Sequence, residues 1–223
     1  ILREYETAGY PEASVKVRVD EGRNARTIHF DINEGRKLFM GHVKLSGASE
    51  SELPLLEKVV ADWLKQYADP LKRMPYDEKF LKGELPGLLA RIRSLGYLEA
   101  RILEIRPQIP AQGLFVDVEL PVQLGEKFTL RSVSVNGNIS LSQRELDKIV
   151  DIAPSEAADP SKIMAVRDRL FKKYRDIGFL NVQMVDEETR IIKRVPEANE
   201  VDVEYSVDQG PLIRVGKAVV DGL

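Results

Sequence analysis

The feature that most constrains the fold of this chain is an internal repeat marked by three sets of glycines. Each copy of the first set is a glycine followed by an aromatic residue, and each glycine of the third set comes 12 residues after one of the second. The copies are Gly9-Tyr10, Gly96-Tyr97 and Gly178-Phe179 in the first set, Gly35, Gly125 and Gly210 in the second, and Gly47, Gly137 and Gly222 in the third. The second and third sets both recur at intervals of 90 and 85 residues. Landmarks that recur in a fixed order predict an array of similar structural units.

Apolar and polar residues alternate directly before each glycine of the second set, which predicts a strand with one buried face. The apolar residues stand three, five and seven positions before these glycines. They are Ile32, Phe30 and Ile28 in the first copy, Val122, Leu120 and Val118 in the second, and Val207, Tyr205 and Val203 in the third. A further strand is predicted before each glycine of the third set, at 43–45, 133–135 and 218–220.

Two helices are predicted between the strands of each complete copy. Capping boxes begin the first helix, formed by Ser49 with Glu52 and by Ser142 with Glu145. Asp159 and Pro160 have the residue types that cap and start a helix, so the second helix of the last copy begins there. Its counterpart is predicted over about 77–95, and because Pro86 interrupts that pattern we expect a kink or a late start.

The elements therefore follow the order strand, helix, helix, strand, strand, which is an α+β pattern of tandem β-α-α-β-β units. Complete units are predicted at 36–127 and 128–213. Residues 1–35 correspond to the C-terminal part of a truncated unit, and residues 214–223 to the first strand of a following one.

Composition excludes several classes of function. The 223 residues include no cysteine, which removes disulfides, thiolate metal sites and cysteine nucleophiles. His29 and His42 are the two histidines, and neither has a second histidine at ligand spacing. A net charge of -3 argues against a dedicated nucleic-acid binder. We therefore predict no enzyme activity, no metal site, no cofactor and no nucleic-acid partner.

The sequence also lacks an initiator methionine, a signal peptide and any apolar run of the ~18 residues that a membrane-spanning helix needs. We interpret the chain as a processed or excised fragment of a longer protein.

The repeat resembles the POTRA domain, the periplasmic module of outer-membrane β-barrel assembly proteins (BamA-like and, more distantly, TamA-like). The matching segments are LRSVSVNGN at 130–138, KYRDIGF at 173–179 and GPLIRVG at 210–216. The resemblance implies that each unit is a three-stranded mixed sheet covered on one face by two helices. It also implies that the first hairpin strand lies at a sheet edge. A partial unit at each end favours a BamA-like parent with about five units.

A sheet edge of this kind could accept an extended segment by β-augmentation. The candidate edges are 13–20, 99–106 and 181–188. The residues singled out in the two complete units are Ala100, Arg101, Ile102, Leu103, Glu104, Ile105, Asn181, Val182, Gln183, Met184, Val185 and Asp186. The alternative interpretation is a solvated edge whose charged side chains block pairing.

Short glycine-containing segments connect the predicted units. The junction residues are Gly35, Gly125, Lys127, Gly210 and Pro211. They fit a hinge or a rigid joint equally well.

The resemblance implies a periplasmic scaffold or chaperone-like module of an outer-membrane protein assembly machine. Its expected partners are unfolded outer-membrane protein segments, accessory assembly subunits and the C-terminal membrane barrel of the same parent chain. Two alternatives are the POTRA region of a polypeptide transporter, of the two-partner-secretion or import type, and a rigid spacer without peptide affinity.

Overall fold

The computed structural model describes residues 1–22, 25–67, 73–137, 140–185, 190–214 and 216. Five helices and ten strands are assigned in these ranges. The helices are α1 (Leu2–Thr7), α2 (Leu53–Lys65), α3 (Glu78–Arg93), α4 (Gln143–Val150) and α5 (Pro160–Asp176). The strands are β1 (Ser14–Glu21), β2 (Arg26–Asn33), β3 (Phe39–Ser46), β4 (Arg101–Ile102), β5 (Arg106–Gln108), β6 (Phe115–Gln123), β7 (Thr129–Asn136), β8 (Gln183–Met184), β9 (Ile192–Arg194) and β10 (Glu200–Asp208).

The chain divides into two compact units. The first comprises Ile1–Ile92 with Ala100–Leu124, and the second comprises Arg93–Glu99 with Gly125–Leu223. The boundaries of the repeat units given above remain a prediction.

Each compact unit contains one mixed sheet with its longest strand in the centre. In the first, β6 pairs with β3 in parallel and with β4 and β5 antiparallel. In the second, β10 pairs with β7 in parallel and with β8 and β9 antiparallel. The predicted α+β class, with strand, helix, helix, strand, strand in each unit, is confirmed.

The two central strands carry the predicted alternation of buried and exposed residues. On β6 the buried side chains include Val118, Leu120 and Val122, and on β10 they include Val203 and Tyr205. Apolar residues of the paired helices complete each core. These are Leu56, Val60, Trp63, Leu81, Leu88 and Ile92 in the first unit, and Leu146, Ile163, Val166, Leu170 and Tyr174 in the second.

The starts of α4 and α5 agree with the capping pattern of the sequence, whereas α2 begins at Leu53 with Glu52 at its N-cap and not directly after Ser49. The main-chain N–H and the hydroxyl of Ser142 both donate to Glu145, at 3.1 and 2.9 Å. The carboxylate of Asp159 accepts from the N–H groups of Ser161 and Lys162, and Pro160 is the first helical residue.

A kink or a late start is expected for the second helix of the first unit, and the late start is wrong. Helix α3 begins at Glu78 and runs without a break to Arg93, with Pro86 inside it. The carboxylate of Asp77 accepts from the N–H groups of Lys79 and Phe80, at 2.9 and 3.0 Å. This cap, together with the buried face that includes Leu81 and Leu88, keeps the helix intact despite the N–H that proline lacks.

The β1–β2 hairpin differs from its counterparts in burial. Its strands pair along their whole length, and the alternating apolar residues share one face. Ile28, Phe30 and Ile32, which the period-two pattern predicts to be buried, are 53, 48 and 41% exposed. Period two defines an apolar face, but burial also requires a helix layer, and no described segment covers this face.

No described helix has both the length and the apolar character needed to span a bilayer.

Candidate functional site: sheet edges and junctions

The predicted edge of the first unit lies at the edge of its sheet but is not one continuous strand. Arg101 and Ile102 pair with β6, and the N–H of Leu103 donates to the carbonyl of Pro121 at 2.9 Å. Glu104 and Ile105 leave the ladder, which resumes only at β5. The candidate edge over 99–106 therefore consists of two short paired segments, separated by Glu104 and Ile105.

The predicted edge of the second unit is equally short. Gln183 and Met184 pair with β10, and the N–H of Val185 donates to the carbonyl of Ser206 at 2.9 Å. Asp186 lies outside the described residues. β9 pairs with the other end of β10 and extends the same edge.

The candidate edge residues differ in accessibility. Ala100 and Val182 are buried and belong to the hydrophobic cores of their units. Ile102, Ile105 and Met184 are half-buried. The exposed candidates are Arg101, Leu103, Glu104, Asn181, Gln183 and Val185, with Leu103 at 61% and Val185 at 69%. A partner segment would meet these exposed residues first.

Each sheet also has an opposite edge that the sequence pattern does not single out. In the first unit this edge is β3, and in the second it is β7. The loop before the second helix closes only the start of each strand, through single bridges between Phe39 and Pro75 and between Thr129 and Ala157. The sequence could have revealed these edges through the predicted order of elements. A sheet with one central strand has an edge on each side of it, so the first strand of each unit must be an edge as well as the hairpin strand.

The junction glycines adopt a common local structure. Gly35, Gly125 and Gly210 have φ angles of 68, 72 and 62°. Three residues after each of them, a main-chain N–H donates to the glycine of a glycine–aromatic pair. The bonds run from Leu38 to Gly9 at 2.7 Å, from Phe128 to Gly96 at 2.9 Å and from Ile213 to Gly178 at 2.9 Å. Each junction is therefore tied by a main-chain hydrogen bond to the glycine–aromatic pair that precedes it in the chain.

The other two junction residues, Lys127 and Pro211, lie within one or two positions of the junction glycines. The ammonium group of Lys127 is 6.0 Å from the centroid of the Tyr97 ring, within cation–π range. Pro211 follows Gly210 and is exposed. Among the described residues, no group of side chains forms a binding pocket around Lys127 or Pro211.

A carboxylate at equivalent positions of the two central strands supports a bulge in the neighbouring strand. Asp117 accepts from the main-chain N–H of His42 at 2.7 Å, and this bond lowers the pKa of Asp117. Asp202 accepts from the Arg131 guanidinium and from the Ser132 hydroxyl. Arg131 is the main cause of the lowered pKa of Asp202. Each aspartate stands eight residues before a junction glycine, so the repeat in the sequence could have identified these two positions as equivalent.

The groups that these sheet edges present to solvent are mainly main-chain N–H and C=O groups. The histidines pair with nearby carboxylates, His29 with Asp20 at 2.9 Å and His42 with Asp117 at 3.3 Å. In the described ranges, no three His, Asp or Glu side chains come together in a way that would hold a metal ion. Sheet edges offer N–H and C=O groups to an extended partner, whatever its sequence.

Comparison with known proteins identifies similar sequences and folds. Residues 128–210 match the POTRA family, described as a surface antigen variable number repeat. The outer membrane protein assembly factor BamA of Buchnera aphidicola is 21% identical over 183 residues, or 81% of this chain and 30% of that protein. BamA of Nitratidesulfovibrio vulgaris is 22% identical over 98% of this chain and 28% of that protein. This chain thus spans under a third of these relatives.

A solved structure shares the fold. BamA from Haemophilus ducreyi lacking POTRA domains 1–3 superposes with a TM-score of 0.53, over 76% of this chain and 29% of that one, at 15% identity.

Proposed function

Because residues 128–210 match the POTRA family and most of the chain is similar to BamA proteins, we propose that it consists of tandem POTRA domains and is a periplasmic, non-catalytic module of an outer-membrane protein assembly machine. In this role it binds unfolded segments of outer-membrane proteins or accessory assembly subunits, and a membrane barrel of the same parent chain receives what it binds.

The observation that carries this proposal is the unpartnered outer side of β4–β5 in the first unit and of β8 in the second. Both strands pair with a central strand on one side, and no strand of the described chain pairs with them on the other. A strand that adds to such an edge gains main-chain hydrogen bonds with little regard to its sequence. That property suits a module whose clients share an extended conformation rather than a common sequence.

The short ladders predict weak binding. β4 and β8 each have two paired residues, so one edge supports few intermolecular hydrogen bonds. Each contributes a net ~0.5–1.5 kcal/mol, and the ordering of the peptide offsets part of this gain. We expect dissociation constants on the order of millimolar, which a single hydrogen-bonded segment of this length supports.

The test is a titration of isotope-labelled chain with a short extended peptide that has an outer-membrane strand pattern, apolar at every second residue. We expect saturable amide shifts at 101–108 or 183–185. Leu103→Lys and Val185→Lys place a charge on exposed edge residues and should each weaken binding at their own edge by about twofold to fivefold.

Leu55→Lys is the matched control, because Leu55 is also an exposed apolar residue but lies on α2. It should leave the affinity unchanged. An absence of shifts anywhere at millimolar peptide, with the chain still binding a folded accessory subunit, would leave a docking scaffold and overturn the peptide-binding role.

A further inference from the structure

Two phenylalanine rings lie side by side at the surface where the sheet of the first unit begins. Phe39 is the first residue of β3 and Phe115 the first of β6, and the two residues pair across the parallel ladder. Their ring centroids are 6.3 Å apart, and Phe115 is 47% exposed. Leu114, whose carbonyl accepts from the N–H of Phe39 at 2.7 Å, is 45% exposed beside them. Large apolar side chains gathered at one exposed point are typical of a contact surface.

Two cationic side chains lie over these rings. The guanidinium carbon of Arg73 is 5.8 Å from the centroid of the Phe39 ring and 5.3 Å from that of Phe115. The ammonium nitrogen of Lys37 is 6.0 Å from the centroid of Phe39 and 5.6 Å from that of Tyr10. All four distances are within cation–π range. The residues of this surface, here named the aromatic–basic patch, are Tyr10, Lys37, Phe39, Arg73, Leu114 and Phe115.

No carboxylate neutralises the two cations. In the part of the chain that the structure describes, no Asp or Glu side chain forms an ion pair with Lys37 or Arg73. Arg36, directly before Lys37, differs in this respect, since it pairs with the Glu12 carboxylate at 3.1 Å. The Arg73 side chain is thus held on two rings while its five N–H donors stay available to a carboxylate from another molecule.

The second unit shows that the fold does not require these rings. Thr129 and Glu200 pair at the start of β7 and β10, as Phe39 and Phe115 do in the first unit. The N–H of Thr129 donates to the carbonyl of Asn199 at 3.0 Å, the counterpart of the bond that Phe39 makes. A contact between a lysine and a tyrosine also recurs in both units, so the arginine and the two phenylalanines distinguish the first. Folding alone does not account for them.

The composition of the patch favours a protein as its partner. Aromatic residues and arginine are enriched at the centres of protein interfaces, where they contribute most of the binding energy. A lipid bilayer fits less well, because Arg73 lies over both rings and because a chain with a net charge of -3 offers no broad basic surface to anionic lipids. Unpaired cations above apolar rings complement a carboxylate that stands beside an aromatic side chain.

We propose that the aromatic–basic patch docks an acidic segment of a partner protein, with a carboxylate on Arg73 and a neighbouring aromatic side chain on Phe39 and Phe115. Side chains make this contact, and no strand is added to either sheet. The docking surface is therefore separate from the sheet edges of the proposed function and does not depend on them.

The test uses a peptide of repeated Asp-Phe-Pro triplets. Its prolines lack the N–H groups that pairing with a sheet edge needs, so binding reports on side-chain recognition. The peptide is titrated into the isotope-labelled full chain. We expect saturable amide shifts at 37–39, 73–74 and 114–115. A peptide with Asn in place of each Asp should bind about threefold to tenfold more weakly, because it lacks the charge-assisted hydrogen bonds.

Variants of the chain provide the second measurement. Arg73→Gln should weaken binding of the Asp-containing peptide about threefold to tenfold. Arg144→Gln is the matched control, because Arg144 is also exposed but lies on α4, and it should leave the affinity unchanged. The double variant Phe39→Thr with Phe115→Glu takes the residue types of the equivalent positions in the second unit. It should keep a dispersed amide spectrum and lose measurable binding.

Three outcomes would overturn the proposal. The first is equal affinity for the Asp and Asn peptides, and the second is equal affinity of R73Q and R144Q for the Asp peptide. The third is sedimentation of the chain with phosphatidylglycerol vesicles that R73Q reduces, without peptide shifts at the patch, which would assign the patch to a membrane. Each of them leaves the proposed function standing, because its own titration reports on residues 101–108 and 183–185.

Discussion

The turn that follows each second helix depends on a glycine with a positive φ. Gly96 has a φ of 100°, and a Cβ there would lie 2.5 Å from the carbonyl oxygen of Phe128. That carbonyl belongs to the segment that also donates to Gly96, so neither side of the contact can move away easily. A side chain at this position is excluded both by its own backbone conformation and by a close main-chain neighbour.

We predict that Gly96→Ala destabilises the chain by about 1–3 kcal/mol, since an L-residue is strained at this φ. Gly83→Ala is the matched control. Gly83 lies on the exposed face of α3, and a Cβ there would have no neighbouring atom within 4 Å, so alanine should stabilise the helix by about 0.5–1 kcal/mol. Urea unfolding of the two variants measures both effects, and equal midpoints would contradict the argument.

The capping box of α4 makes the free energy of unfolding depend on pH in the acidic range. The Ser142 main-chain N–H, the Lys173 ammonium and the Ser142 hydroxyl lower the pKa of Glu145 from 4.5 to about 2. A depressed pKa stabilises the fold above the unfolded-state value. This contribution is lost as the pH falls from about 4.5 towards about 2.

We predict that Glu145→Gln lowers stability at pH 7 and that its difference from the unmodified chain shrinks as the pH falls through this window. Lys173→Met removes one of the partners of Glu145 and should raise the midpoint of the Glu145 titration without abolishing the cap. Unfolding as a function of pH, together with the amide signal of Ser142, follows both changes. A difference that stays constant down to pH 2 would refute the assignment.

Among the secondary-structure elements, equivalent strands differ in what covers them. Phe30, Leu120 and Tyr205 each stand five residues before a junction glycine, and the sequence alone makes them equivalent. Leu120 and Tyr205 are 0 and 1% exposed beneath their helices, whereas Phe30 is 48% exposed on the β1–β2 hairpin. Tyr205 is fixed further by its hydroxyl, which donates to the carbonyl of Ile163 at 2.7 Å.

We predict that Leu120→Ala costs about 2–5 kcal/mol, because it leaves a cavity in a packed core. Phe30→Ala should cost about 1 kcal/mol or less, because half of the ring is already in water. It should also reduce binding of a hydrophobic dye, since it removes the largest side chain of the exposed hairpin face. Comparable losses of stability in the two variants would mean that the hairpin face is covered in solution.

Helices and edges show the limits of local patterns in the same way. The capping residues predicted where α4 and α5 begin, and the structure confirms both starts. Pro86 favoured a kink or a late start of α3, but the helix starts directly after the Asp77 cap, because that cap and the buried face of the helix outweigh the single hydrogen bond that proline removes. The interruption between β4 and β5 had no local signal, because it depends on register against β6.

At the scale of the whole molecule, each compact unit has a sheet-and-helix core of its own. The net charge of -3 on 223 residues gives no strong field to attract an anionic partner. The proposed binding of extended segments therefore relies on main-chain edges and the apolar residues beside them.

The sequence by itself determined the repeat, the order of strands and helices, the capped helix starts and the apolar side of each long strand. These properties are local, since they follow from the periodicity of side chains and from the few residues that can cap a helix or adopt a positive φ. Only the tertiary structure decided which apolar faces are covered and where the edge strands break. These properties depend on how far elements distant in sequence extend over one another, and a local pattern does not encode that length.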